Sequence, residues 1–223
     1  MGARGATPDA SGLTAPDSRE ARVELCPGAV VLRRFAALRD EALRAAVDAV
    51  ADAAPFRRMQ TPGGFTMSVA MTNCGELGWT SDATGYRYTT RDPKTGRPWP
   101  AMPAAFADLA ARAAEAAGFD AFAPDACLVN RYEPGARLTL HQDKDERDFS
   151  APIVSVSLGV PAVFLFGGLA RKERPVSVAV EHGDVVVWGG TARMRYHGVR
   201  PLAETQHPFA GNLRINLTFR RAG

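Results

Sequence analysis

The sequence contains no apolar run approaching the roughly 18 residues that a membrane-spanning helix needs. Residues 1–22 are rich in Ala, Gly, Pro, Asp and Ser, and they lack the apolar stretch of a signal peptide. There are only 3 cysteines, an odd number without a C-x-x-C pair, which is typical of reduced thiols rather than of a disulfide framework. We therefore expect a cytoplasmic protein without a membrane segment, in which residues 1–22 form a mobile tail.

A strong charge of either sign is also lacking, because the formal net charge is only +3. Such a balance permits a nucleic-acid partner without arguing for one. The apolar share of 46% is enough for a packed core, and the length of 223 residues suits one large domain. We expect this domain to span residues 23–223.

Local patterns predict two helices followed by a series of strands. Apolar residues at helical spacing indicate one helix over 38–50, and a second helix is expected over 104–117, closed by Gly118. From residue 125 onward, short strands alternate with Gly and Pro turns. The strands are expected at residues 127–133, 137–141, 153–158, 163–166, 176–181, 185–188, 192–199 and 213–220. Eight short strands at this spacing predict a sandwich or jelly roll over 125–221 rather than βαβ units.

The end of one predicted strand carries a candidate metal motif. His141 and Asp143 are two residues apart, so an extended chain points both to the same side. With one further imidazole, for which His197 is the candidate, they would form the set that holds non-haem Fe(II) and leaves other positions open. A lone His-x-Asp is a weak signal, and His182 with Asp184 forms a second one. There, a tight turn at Gly183 favours a capping role for Asp184 and a surface position for His182.

The strand at the C-terminus separates into two faces when it is read with a period of two. Its apolar positions would pack on the core, and its other face carries Arg214, Asn216, Thr218 and Arg220. A solvated polar face is the simpler interpretation. The alternative is carboxylate recognition, for which the guanidinium fork is suited. Two Arg side chains six residues apart could hold opposite ends of a small diacid only if the strand curves around it.

Residues 59–103 differ from the rest of the chain in being rich in glycine, methionine and aromatic side chains. The strand-like pieces in this segment are short. One interpretation is a β-hairpin layer with buried aromatics, which we prefer for Trp99 because prolines flank it. The other is a lid that holds a flat ligand between aromatic and Met side chains. The sequence pattern alone leaves both interpretations open.

Taken together, these motifs resemble the AlkB family of Fe(II)- and 2-oxoglutarate-dependent dioxygenases, which repair alkylated nucleic acid bases. The resemblance rests on His141-x-Asp143, His197 and the Arg214-x-Asn216-x-Thr218-x-Arg220 run. It includes residues 59–75, 124–132 and 181–190, and it extends from about Pro27 to the end of the chain. It implies a double-stranded β-helix (jelly roll) of mainly β class, with flanking helices and residues 59–103 as an N-terminal nucleotide-recognition lid.

The resemblance also implies the cofactors and the residues that bind them. His141, Asp143 and His197 would bind Fe(II), and 2-oxoglutarate and O₂ would be co-substrates. Arg214 would hold the distal carboxylate of 2-oxoglutarate, and Arg220 would lie near the carboxylate that chelates the iron. Asn130, Tyr132 and Asn216 would donate further hydrogen bonds to this co-substrate.

By the same resemblance, the substrate would be an alkylated base in single-stranded or duplex DNA, with RNA as a further substrate. Trp79 and Tyr86 match lid residues that contact the flipped base and its phosphates. The remaining positions expected near the substrate are Asp145, Glu146, Arg171, Met67 and Met71. The implied reaction is oxidative demethylation of bases such as 1-methyladenine and 3-methylcytosine by a monomer, with formaldehyde, succinate and CO₂ as products.

Two other functions fit parts of the sequence. An Fe(II)/2-oxoglutarate hydroxylase acting on protein or a small molecule would keep the metal motif but would not need Trp79 and Tyr86. A metal-free jelly-roll module that binds nucleic acid without turnover would need neither Asp143 nor its two histidines. Iron-dependent formation of succinate separates the second alternative from the other two functions.

Overall fold

The structure, a computed structural model, describes residues 21–223. These residues contain two α-helices, α1 (Asp40–Ala53) and α2 (Ala104–Ala116). The strands are β1 (Arg22–Cys26), β2 (Ala29–Leu32), β3 (Arg57–Gln60), β4 (Thr66–Gly75), β5 (Gly78–Asp82), β6 (Gly85–Thr89), β7 (Ala126–Tyr132), β8 (Leu138–His141), β9 (Ile153–Gly159), β10 (Ala162–Phe166), β11 (Val176–Val180), β12 (Val185–Trp188), β13 (His197–Val199) and β14 (Arg214–Arg220). The predicted tail lies outside the described residues except for its last two positions, and Arg22 already belongs to β1.

The strands form two large sheets and one hairpin. An eight-stranded sheet has the order β1-β2-β12-β9-β14-β7-β4-β3, and a four-stranded sheet has the order β11-β10-β13-β8. The strands β5 and β6 pair only with each other. All neighbours in the two large sheets are antiparallel. This arrangement confirms the predicted mainly β jelly roll.

The eight-stranded sheet has a different environment on each face. On one face, Leu43 and Val47 of α1 and Phe106 of α2 pack with the apolar residues of β14 in a single core cluster. On the other face, Val186 of β12 packs with Phe164 of the four-stranded sheet in a second cluster. The core therefore has three layers: helices, large sheet and small sheet.

The alternation predicted for the C-terminal strand is present in β14. Ile215, Leu217 and Phe219 belong to the helix-facing cluster. Arg214, Asn216, Thr218 and Arg220 are also buried, but they point toward the space between the two sheets. Their burial rules out a solvated polar face, which was the simpler of the two interpretations.

Some predicted elements differ from the structure. The segment 192–199 is strand only over its last three residues, because Gly190–Ala192 forms a 3₁₀ turn and the chain then crosses between the sheets. Strand β4 is ten residues long and lies inside the large sheet between β3 and β7, so the expectation of only short pieces in 59–103 is wrong. Leu38 is fully exposed in a 3₁₀ turn before α1 rather than on its buried face. Within residues 21–223, no helix is both long and apolar enough to cross a membrane.

Candidate metal and co-substrate site

A cavity of about 920 Å³ opens between the two large sheets. Its floor is formed by alternate residues of β7, β9 and β14, and its sides by β8, β13 and the β5–β6 hairpin. All but one of the residues predicted for the site line this cavity. They are His141, Asp143, His197, Asn130, Tyr132, Arg214, Asn216, Arg220, Trp79, Tyr86, Asp145, Arg171, Met67 and Met71.

Two imidazoles and one carboxylate converge on one side of the cavity. His141 ends β8 and His197 begins β13, and the two are direct partners in the antiparallel pair. Asp143 follows β8 by two residues. One potential ligand atom from each of the three residues lies within 4.8 Å of the others. No other group of three such side chains close enough to hold a metal ion occurs in the described part of the chain.

The backbone fixes the ring orientation of both histidines. Nδ1 of His141 is 2.8 Å from the Thr139 carbonyl, and Nδ1 of His197 is 3.1 Å from the Arg195 carbonyl. Each Nδ1–H therefore donates to a carbonyl, and Nε2 of each ring is left as a lone-pair donor toward a metal. Both Nε2 atoms lie 3.7 Å from an oxygen of Asp143.

The surroundings of His197 and Asp143 favour the deprotonated forms of these two side chains at neutral pH. Burial, with the nearby His141, lowers the pKa of His197 to about 3, so its imidazole is neutral. Burial alone would raise the pKa of Asp143, but the Arg220 guanidinium and the two histidines hold it well below its usual range. Nη2 and Nε of Arg220 donate to the same Asp143 oxygen at 2.6 and 2.9 Å. The other oxygen is available, so the donor set fits Fe(II) with open coordination positions.

The floor of the cavity contains a buried cation with unsatisfied donors. Arg214 is 2% exposed, and its Nη2 donates to Ser157 Oγ at 2.9 Å. Its Nε and Nη1 find no hydrogen-bond partner among residues 21–223, and burial lowers its pKa. Its guanidinium also lies 4.9 Å from the centre of the Tyr132 ring. Because an unpaired buried donor is costly, this arrangement fits a bound carboxylate.

A hydrogen-bonded ladder of neutral side chains lies between Arg214 and Arg220. Asn216 donates to Ser155 Oγ and accepts from Asn130 and Thr218, at 2.9, 3.1 and 3.0 Å. The Oδ1 atom of Asn130 has no partner in the described structure. Asn216 is thus oriented by its neighbours.

The hairpin supplies an aromatic wall of the cavity, and we call this part of the cavity the hairpin end. The Trp79 and Tyr86 rings are stacked with centroids 5.5 Å apart and planes 14° apart. Nε1 of Trp79 donates to Asp145 Oδ2 at 2.8 Å. Met67 and Met71 of β4 line the same cavity. Arg171, in the loop after β10, also lines it and lies 6.0 Å from the centre of the Tyr196 ring. The aromatic and Met side chains therefore line one cavity.

The structure corrects two expectations. Glu146 does not line the cavity, because it is 6% exposed and is enclosed by Tyr88, Arg193 and Arg220. His182 is not simply at the surface: its Nδ1 accepts from the Gly159 backbone N–H at 2.9 Å, and its Nε2 lies 3.0 Å from Asp40. Asp184 does cap its turn, accepting from the Glu181 N–H at 2.9 Å.

The sequence patterns did not identify several residues that support the site. Ser155 and Ser157 hold Asn216 and Arg214, and their two-residue spacing in an otherwise apolar strand was a usable signal. Arg193 donates to the backbone carbonyl of Asp143 at 2.9 Å. It lay in a segment predicted as strand, and no local pattern distinguished it.

Comparisons with known proteins agree with this geometry. The model of the "2OG-Fe(II) oxygenase superfamily" matches residues 28–220. The chain is 61% identical over 198 residues to the alpha-ketoglutarate-dependent dioxygenase AlkB of Salmonella typhimurium, covering 89% of this chain and 92% of the relative. The corresponding protein of Escherichia coli is 60% identical over 199 residues, with the same coverage.

A solved structure supports the fold. The structure of OsALKBH1 superposes with a TM-score of 0.77 at 29% sequence identity, covering 90% of this chain and 99% of that one. The matched family model covers the candidate metal site and every strand except β1. The chain therefore belongs to the 2OG-Fe(II) oxygenase superfamily, and within it to the AlkB family of alpha-ketoglutarate-dependent dioxygenases.

Proposed function

We propose that the protein removes N-linked methyl groups from bases of DNA and RNA by oxidation. This proposal rests on one observation: three features line the same cavity. They are the His141–Asp143–His197 group, the unpaired donors of Arg214 and the Trp79–Tyr86 wall. The first two features match the needs of iron and 2-oxoglutarate. The third matches a flat, stackable substrate.

At the metal end, His141, Asp143 and His197 would hold Fe(II) through two neutral imidazoles and one carboxylate. When bound, iron with 2-oxoglutarate and O₂ supplies the oxidation of the methyl carbon, with succinate and CO₂ as co-products, and the oxidised methyl group leaves as formaldehyde. Arg220 would keep Asp143 charged and oriented. The protein's own contribution is placement and the exclusion of water.

At the floor, Arg214 would bind the distal carboxylate of 2-oxoglutarate through its two unpartnered N–H groups. Tyr132 and the Asn130 amide line the same part of the cavity. A second, oppositely placed guanidinium at Arg220 would lie near the carboxylate that chelates the metal. The ladder around Asn216 would keep the polar floor rigid between them.

At the hairpin end, Trp79 and Tyr86 would stack on the target base after it leaves the helix, since chemistry on a base edge requires an extruded nucleotide. Asp145, accepting from Trp79, would place a negative charge beside the base. Met67 and Met71 would line the cavity around the base, and Arg171 would reach the substrate from the loop after β10. We assign the lid to the β5–β6 hairpin and the β3–β4 turn, which together fall within residues 59–103.

More distant relatives bear names that state a nucleic-acid substrate. One is a tRNA demethylase of Schizosaccharomyces pombe, 30% identical over 134 residues, and another is a nucleic acid dioxygenase of Mus musculus, 35% identical over 116 residues. These names support a nucleic acid over a protein or a small molecule as substrate. The aromatic wall supports the same choice.

We also propose that the protein acts as a monomer in the cytoplasm. One chain supplies all three candidate metal ligands, so a second copy is not needed to complete the site. All three cysteines fall within the described residues and none is in a disulfide, which suits a reducing compartment. The domain would span residues 23–223, and β1 adds Arg22 to it.

The test is release of formaldehyde from an oligonucleotide carrying one 1-methyladenine, with Fe(II), in the presence and absence of 2-oxoglutarate. We expect release that depends on both additions, and none from the same oligonucleotide without the methyl group. Formation of succinate without formaldehyde on any methylated oligonucleotide would point instead to a hydroxylase of another substrate. Absence of both products would favour a binding module.

A further inference from the structure

The loop that follows Asp143 is attached to the β5–β6 hairpin by two side-chain hydrogen bonds. Trp79 and Tyr88 are direct cross-strand partners in the hairpin, so their side chains lie on the same face. Trp79 Nε1 donates to Asp145 Oδ2, and the Tyr88 hydroxyl donates to Glu146 Oε1, both at 2.8 Å. Two consecutive carboxylates of the loop are therefore held by two opposed residues of the hairpin.

The two attachments lie in different environments. Asp145 lines the cavity, where the proposed substrate would lie. Glu146 is 6% exposed and points away from the cavity, among buried charges. Burial raises the pKa of Tyr88 well above its usual value, so its hydroxyl remains a donor at neutral pH.

Glu146 contacts both guanidinium groups that hold Asp143. Its Oε1 lies 3.3 Å from Arg220 Nε, and its Oε2 lies 3.2 Å from Arg193 Nη2. Arg220 donates to the Asp143 carboxylate at 2.6 Å, and Arg193 donates to the Asp143 backbone carbonyl at 2.9 Å. The main chain and the side chain of Asp143 are thus both held by cations that lie next to the Glu146 carboxylate. Glu146 contacts these cations through charge, since its Oε2 has no hydrogen-bond partner among the described residues.

Negative and positive charges alternate in this cluster, in the order Glu146, Arg220 and Asp143. This order determines how well Asp143 can bind a metal. Without the Glu146 carboxylate, the buried charge of Arg220 would be balanced mainly by Asp143. A carboxylate that must neutralise a buried guanidinium alone is a poorer donor to a metal. The Asp143 carboxylate would also lose the fixed orientation that hydrogen-bonded neighbours normally give to a metal ligand.

We propose that Glu146, held by Tyr88, is a positioning residue that aims Asp143 at the metal, so that the hairpin forms part of the support of the metal site. This inference rests on the proposed metal-binding role of His141, Asp143 and His197. It assigns to Glu146 a role other than contact with the base. It also assigns a role to Tyr88, which the cavity itself does not require.

The test is the affinity for Mn(II), measured by the EPR signal of the unbound ion, with 2-oxoglutarate present and without nucleic acid. We expect Glu146→Gln to weaken binding by about 10- to 100-fold, the loss usual for residues that orient a metal ligand. Tyr88→Phe removes only a hydroxyl that acts through Glu146, and we expect a loss smaller than that of Glu146→Gln. The control Glu133→Gln breaks an exposed pair with Arg58 and should bind Mn(II) like wild type.

The double variant separates positioning from simple packing. If Tyr88 acts through Glu146, then Tyr88→Phe combined with Glu146→Gln binds Mn(II) no more weakly than Glu146→Gln alone. Independent, additive losses would overturn the proposal, as would unchanged affinity in Glu146→Gln. If Glu146→Gln does not fold, as judged by circular dichroism, unchanged affinity in Tyr88→Phe still overturns it. Failure of wild type to bind Mn(II) would instead refute the proposed metal site.

Discussion

The two ends of the cavity are built differently. At the metal end, Asp143, His197, Arg214 and Arg220 are 10% exposed or less, and they are fixed by strand pairing and by short hydrogen bonds. The third proposed ligand, His141, is 38% exposed, but it lies in β8 and pairs directly with His197. At the hairpin end, Tyr86 is 46% exposed, and it lies on a pair of five-residue strands that joins neither large sheet. The reacting groups are thus placed on the rigid scaffold, and the proposed recognition groups on a more exposed element. Substitutions at the two ends should therefore have different signatures.

The largest effect is expected from Asp143→Ala at the metal end. Because the change removes a charged metal ligand, we expect complete loss of both succinate and formaldehyde. It also removes the buried partner of Arg220, so the melting temperature should fall while the fold is retained. The measurements are both product yields, together with the circular dichroism spectrum. The control His182→Ala, which breaks hydrogen bonds to Gly159 and Asp40 outside the cavity, should lower the melting temperature but retain turnover. Turnover by Asp143→Ala would refute the metal assignment.

Arg214→Ala should have the next largest effect. Truncating one partner of a buried, hydrogen-bonded charge pair costs about 2–5 kcal/mol, so the apparent constant for 2-oxoglutarate should rise well over tenfold. Metal affinity in the absence of 2-oxoglutarate should not change. Arg214→Lys should recover only part of the loss, since an ammonium lacks the bidentate fork. An unchanged dependence on 2-oxoglutarate in both variants would show that Arg214 does not bind it.

Trp79→Ala tests the hairpin end. Loss of one base–aromatic stack costs about 1–3 kcal/mol, so kcat/KM should fall for every methylated base, whatever its charge. The 2-oxoglutarate constant should remain at the wild-type value, in contrast with Arg214→Ala. The measurement is kcat/KM for several lesions in one oligonucleotide at fixed salt, because backbone affinity depends on ionic strength. A loss confined to one lesion would argue against a general stacking role.

The smallest effect is expected from Asp145→Asn. The substitution keeps the shape of the side chain and an acceptor for Trp79 but removes the charge. N1-methyladenine and N3-methylcytosine are cationic at neutral pH, and opposite charges about 4 Å apart attract by roughly 4 kcal/mol at an effective dielectric of 20. If a quarter of this survives desolvation, kcat/KM for these lesions falls several-fold, while that for neutral N1-methylguanine is spared. Equal losses for both kinds would show that Asp145 does not read charge.

The metal end was largely predictable from the sequence, because its residues lie on strands. A period of two placed Arg214, Asn216, Thr218 and Arg220 on one face, and the same period paired His141 with Asp143. The partner His197 is remote in the chain, and only the family resemblance selected it from the four histidines. Strand pairing between β8 and β13 is what brings it opposite His141.

The hairpin end was less predictable, and Glu146 shows the physical reason. In sequence, Glu146 and Asp145 are equivalent members of a charged loop. In the structure, Asp145 accepts a hydrogen bond from Trp79 at the cavity. Glu146 accepts one from Tyr88 in a buried cluster with Arg193 and Arg220. The difference depends on contacts among three distant segments, which local patterns do not encode. The same limitation explains why Arg193 was missed.

The most direct test of the contrast between the two ends is the ratio of succinate to formaldehyde formed on a 1-methyladenine oligonucleotide. For wild type we predict a ratio of about one, because each oxidised methyl group consumes one 2-oxoglutarate. Trp79→Ala should raise this ratio, since the metal end can still turn over when the base is poorly held. Arg214→Ala should lower both products together and leave the ratio near one. Similar ratios in the two variants would contradict the division of the cavity into a chemical end and a recognition end.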